Sequence, residues 1–75
     1  MEPLLVTLDS SKPPAPAVSH SGQEFNYVVD GQVKITVNKT EHILSSGDSI
    51  YFDARLPHGQ SAVNGTAKFI TIIQE

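Results

Sequence analysis

Seventy-five residues with five basic and eight acidic side chains, a net charge of −3, leave room for one small domain, residues 1–75. The absence of cysteine excludes disulfides and thiolate metal sites. No basic run supplies the footprint of a nucleic-acid binder, and no apolar run reaches the length of a membrane span. A domain this small is marginal unless a metal or self-association helps it, and both remain open. The N-terminus lacks the charged-then-apolar order of a signal peptide, and the lack of cysteine fits a reducing, cytoplasmic setting.

In chain order, residues 4–8 (L-L-V-T-L) read as a strand, with Pro3 suited to its edge. Residues 9–19 hold Pro13, Pro14 and Pro16, which rule out helix and central strand; they read as an ordered loop of polyproline character wrapping the domain. Residues 25–29 read as a strand, and Asp30-Gly31 is a two-residue hairpin signal because such a turn needs positive φ. In residues 32–37, Val33, Ile35 and Val37 face one way and Gln32, Lys34 and Thr36 the other.

Asn38-Lys39 turns the chain into a strand at 40–44, with His42 and Leu44 on one face. Residues 45–48 turn at Gly47. Residues 49–53 and 59–63 are further strands, and the turn between them delivers His58. Asn64-Gly65 is a second hairpin turn, leading into the longest strand, 66–74. No window has helical period. Seven short strands predict an all-β sandwich or barrel, with strand 66–74 left open for pairing with another copy.

The groups with chemical content are His20 and Glu24, just ahead of the strand at 25–29, and His58, after G-D-S-I-Y-F-D-A-R-L-P. These two segments resemble the two motifs of the cupins, small β-barrels of jelly-roll type. His20, Glu24 and Gly31 stand at the second His, the Glu and the closing Gly of the first motif, while Val18 replaces its first His. Gly47 and His58 match the second motif. Asp53 and Arg55 stand at its Pro and Gly positions, and Ala62 replaces its Asn, with Asn64 close by. The resemblance covers residues 20–75, and the strand and Pro-rich loop of 1–19 precede it.

What the resemblance implies is a site of His20, Glu24 and His58. Two imidazoles and a carboxylate suit Fe(II), Mn(II), Zn(II) or Ni(II) and leave positions open for a ligand. The alternative is a hydrogen-bonded polar cluster retained for an organic ligand or for the fold. Asn26 shares the parity of Glu24, and Gln60 that of His58, so all four can line one cavity. Arg55 reads either as a grip for a ligand carboxylate at the mouth or as a solvated turn residue. His42 belongs to neither motif and reads as a packing residue.

Within the cupins, the segments S-H-S-G-Q-E-F and G-D-S-I-Y-F-D resemble the C-terminal sensory domain of bacterial helix-turn-helix transcription regulators. That implies a small-molecule effector, a homodimer, and a DNA-binding domain outside this chain, which itself contacts neither nucleic acid nor membrane. The rival reading is a free-standing metal-dependent cupin enzyme of isomerase or dioxygenase type. A third is a dimerisation module with an empty barrel. The departures at Val18, Asp53 and Ala62 favour binding over catalysis.

Overall fold

The computed structural model describes residues 2–75. Every regular element among them is a strand: β1 (Glu2–Asp9), β2 (Gln23–Asp30), β3 (Gln32–Val37), β4 (Thr40–Ser45), β5 (Ser49–Asp53), β6 (His58–Ala62) and β7 (Thr66–Gln74). Among the described residues no helix is long and apolar enough to cross a membrane. The strands form two antiparallel sheets, β1-β7-β2-β5 and β4-β3-β6, giving an all-β, barrel-like fold.

The alternation read from the sequence sets the inward face. Val33 and Ile35 of β3 are fully buried and Val37 nearly so; with Val28, Phe52, Ala67 and Phe69 they form the core. The inward row of β2 runs Glu24, Asn26, Val28, and that of β6 runs His58, Gln60, Ala62. Both rows are polar at one end and apolar at the other, so the interior divides into a hydrophobic core and a polar pocket.

Three local expectations change. β2 begins at Gln23, so Glu24 lies on the strand. β6 begins at His58, which pairs with Val37 of β3 and exchanges two backbone hydrogen bonds of 2.9 Å with Val18. Strand 66–74 is not open for pairing: β7 lies between β1 and β2 and is bonded along both sides. Two flanking ladders satisfy its backbone, and β1 takes the outer position in that sheet. The Pro-rich loop keeps the expected lack of strand, apart from the Val18 bridge. Asp9 caps its start by accepting from the backbone N–H and hydroxyl of Ser11 at 2.9 and 2.8 Å.

Gly31 shows why the turn after β2 demands glycine. Its φ is +77°, and a Cβ there would lie 2.7 Å from the Thr66 carbonyl oxygen. Gly47 has a similar φ of +92°, but nothing lies within 4 Å of a Cβ. Gly47→Ala is therefore expected to cost only the conformational penalty, about 1–2 kcal/mol. Gly31→Ala adds a clash with backbone at the start of β7 and should cost about 3 kcal/mol or more. Urea unfolding of the two variants checks this; equal losses would refute the steric argument.

Candidate metal centre

Two strands, β2 and β6, and a pair of backbone hydrogen bonds assemble the polar pocket. His20 lies just before β2, where its N–H donates to the Ala54 carbonyl at 2.9 Å, while the Ala54 N–H donates to the Gly22 carbonyl at 3.0 Å. This ties the segment carrying His20 to the turn between β5 and β6. Glu24 and His58 face each other from different sheets, 4% and 2% exposed. The His20 ring meets that of His58 edge-on, with centroids 5.1 Å apart, and Phe52 supports His58 from 4.9 Å.

Hydrogen bonds fix which atom each ring presents. His58 Nδ1 lies 2.8 Å from the Leu56 carbonyl oxygen, and His20 Nδ1 lies 3.1 Å from that of Ser21. A carbonyl can only accept, so both Nδ1 atoms carry hydrogen and donate it. In a neutral ring this leaves the lone pair on Nε2. Both Nε2 atoms point at Glu24 Oε1, from 3.1 Å for His20 and 3.2 Å for His58.

The other carboxylate oxygen is already engaged. Glu24 Oε2 accepts from Asn26 Nδ2 at 3.0 Å and from Gln60 Nε2 at 2.8 Å. The carboxylate therefore offers one oxygen, Oε1, toward the two imidazoles. Asn26 and Gln60 come together with the triad as their parity implied, and in this structure their amides hold Glu24.

Two lone pairs and an anionic oxygen at this spacing need a cation among them, either a proton on an imidazole or a metal ion. The proton side is visible at His20, whose pKa is raised above the ordinary 6.5. The Ser21 carbonyl is the main cause, desolvation opposes it, and Glu24 adds to it. The metal side is met by geometry: His20, Glu24 and His58 offer ligand atoms all within 4.8 Å of one another. Two donors at right angles, each about 2.1 Å from one ion, stand about 3.0 Å apart. The chemistry of the donor set and its spacing both fit a transition-metal ion.

The remaining candidates fall elsewhere. Arg55 lies at the surface, where its guanidinium binds Asp53 Oδ2 at 2.8 Å with Nη2 and reaches Oδ1 at 3.1 Å with Nε. The Arg55 side-chain hydrogen bond is the main cause that lowers Asp53 to about 2. Arg55 is not among the residues lining the cavity over the triad. His42 lies outside the His-Glu-His group.

Sequence reading missed Thr71. It sits opposite Asn26 across the β2–β7 ladder, and its Oγ1 is buried without a hydrogen-bond partner, as is Asn26 Oδ1. The available signal was a single hydroxyl in the row Ala67, Phe69, Thr71, Ile73, which alternates onto the inner face of β7.

Residues 4–73 match the cupin domain family. The chain belongs to the cupins. Among solved structures it resembles hydroxypropylphosphonic acid epoxidase from S. wedmorenis in complex with fosfomycin. The identity is 26%, the match covers 96% of this chain and 42% of that one, and the TM-score is 0.84. The Fe(II) form of HppE in complex with substrate gives 27% identity over 96% of this cupin and 44% of that chain, with a TM-score of 0.83. A conserved protein of unknown function from Streptococcus pyogenes, 19% identical, shares the fold over 97% of this chain and 63% of its own, with a TM-score of 0.82. The chain thus spans less than half the length of the epoxidase chains it matches. No curated protein sequence matches it.

The amide clamp on Glu24 carries a prediction. Gln60→Ala removes the shorter of the two bonds to Oε2 and frees the carboxylate to turn. Zinc affinity, measured by competition with a chromophoric chelator, should fall about 10-fold or more. Unchanged affinity would mean that Asn26 alone orients Glu24.

Proposed function

We propose that this cupin binds a divalent transition metal through His20 Nε2, Glu24 Oε1 and His58 Nε2, and holds a small molecule at the positions the protein leaves open. The observation that carries this reading is the convergence of two tautomer-fixed imidazoles on the single free oxygen of a buried carboxylate. A bound ion would supply Lewis acidity and a coordination point for the ligand. The chain's own groups would do the rest. Glu24 balances one positive charge, Asn26 and Gln60 hold its orientation, and the loop around Val18 limits access from solvent.

The expected result is one equivalent of Fe, Mn, Zn or Ni in protein purified without chelator. Glu24→Gln should lose most of it, and His20→Ala should weaken it. Affinity should also fall as pH drops through the elevated pKa of His20, because its ring holds a proton below that point and must release it to bind a metal. Elemental analysis and competition titrations read both effects. Equal, negligible metal in all three proteins would refute the proposal.

Two uses of such a site differ in the step after binding. Catalysis is supported by the likeness to an epoxidase crystallised in Fe(II) and Co(II) forms. Effector sensing, with a DNA-binding domain outside this chain, rests on the resemblance of the two motif segments to sensory cupins and on the departure at Val18. We favour metal-centred ligand binding as their common element.

A homodimer belongs to the same proposal. On the outer face of the four-stranded sheet, Pro3, Ile72, Phe25 and Tyr51 stand in one cross-strand row, and Leu5, Ile70 and Tyr27 in the next. Leu5 is 65% exposed and Tyr51 60%. Neither row carries a charge, so a two-fold axis would lay like on like without burying an unpaired ion. Sedimentation equilibrium at micromolar concentration should give twice the chain mass, and Leu5→Lys should shift it toward the monomer. A monomeric wild type would overturn the dimer.

A further inference from the structure

The cavity over the triad has a volume of about 430 Å³, and its walls differ from its floor. The floor is His20, Glu24, His58 and Gln60. The walls are Val6, Leu8, Phe69 and Ile73 from β1 and β7, with Ala15, Pro16 and Val18 from the Pro-rich loop. Thr71 interrupts the apolar wall. It is 9% exposed, and its Oγ1 has no hydrogen-bond partner.

Among the described residues no lysine or arginine lines this cavity. Lys34 is paired with Glu41 at 3.3 Å, and Arg55 with Asp53. A divalent ion at the triad would be offset once, by Glu24, leaving one positive charge for a ligand. A dianionic head group would therefore bring an uncompensated charge into an apolar chamber, which is strongly unfavourable. A polyol fares no better, because Thr71 carries the one hydroxyl among the wall side chains and the other wall side chains are apolar.

Resting on the metal-binding reading above, we propose that the pocket selects a small, mainly apolar ligand. It carries one oxygen head group of at most a single negative charge at the metal and one further hydrogen-bonding group facing Thr71. The selectivity lies in the wall, and it runs against phosphonates of the kind for which the structurally similar epoxidase is named. Thr71 supplies the polar choice within that wall, at the expense of leaving its hydroxyl unpaired when no ligand is present.

The experiment uses the Co(II)-loaded protein, whose visible spectrum reports first on metal binding and then on ligands. Acetate, hexanoate and propylphosphonate are titrated at a pH where the phosphonate is doubly charged. Hexanoate should bind at least about tenfold more tightly than acetate, because its chain leaves water for the wall. Propylphosphonate should bind more weakly than hexanoate. Equal affinities for acetate and hexanoate, or a preference for the phosphonate, would overturn the inference while leaving the metal site standing.

If no cobalt spectrum develops, the metal reading fails, and the wall is still tested separately. Neutral hexanol added to metal-free protein should shift the methyl resonances of Val6, Leu8 and Ile73; unmoved resonances would overturn the apolar pocket as well. Thr71→Val tests the second group. The variant should be at least as stable as the wild type, and at least one hydroxyhexanoate isomer should bind it about fivefold more weakly, the size of one hydrogen bond. Identical binding of every isomer to both proteins would remove Thr71 from the site.

Discussion

A buried carboxylate is the constraint around which this cupin is arranged. Moving a carboxylate from water to the inside of a protein is tolerated only when its oxygens are matched. The chain matches them unequally. Two amides, from Asn26 on the same strand and Gln60 on the facing sheet, saturate Oε2. Two imidazoles meet Oε1. The first pair makes a fixed support, and the second makes a site, because imidazoles can exchange a proton for a metal while amides cannot.

The rest of the fold delivers these groups by simple alternation. Glu24, Asn26 and Val28 share one face of β2, and His58, Gln60 and Ala62 share one face of β6, so each strand passes from polar to apolar along its inner row. The core of Val28, Val33, Ile35, Phe52 and Phe69 then closes one end of the interior, while the other end keeps its hydrogen-bonding groups. The outer ends of His20 and His58 are fastened to carbonyls of Ser21 and Leu56, neighbours in the chain. Local turns thus decide the tautomers that a long-range assembly uses.

Much of this was legible in the sequence, for reasons that are local. Period-two patterning in Val33, Ile35 and Val37, and the turns at Asp30-Gly31 and Asn64-Gly65, mark strands without reference to the whole chain. The same parity argument joined Asn26 to Glu24 and Gln60 to His58. What depends on non-sequential pairing was not legible. The central position of β7 follows from β1 returning to its far side, which no local pattern announces. Arg55 could not be assigned from residue type, because Asp53, two positions earlier, captures its guanidinium at the surface. Thr71 acquires meaning only from its register opposite Asn26.

The 3.2 Å approach of Glu24 to His58 spans the gap between the two sheets, since β2 belongs to one and β6 to the other. Whatever cation settles that approach also bolts the sheets together, in a chain that has no disulfide to do so. Under the proposed metal binding, folding and cation binding would form a single linked equilibrium. An ion present at a hundred times its dissociation constant would add about 2.7 kcal/mol to stability, a large share of what so small a domain possesses. A proton on His20 adds a local contribution at the start of β2: it is full below the ordinary imidazole value of 6.5 and is lost as pH rises through the elevated one. With the metal bound as proposed, the melting temperature of this cupin would be a function of its ionic surroundings, and the metal supply and acidity around it would help set how long the folded protein survives.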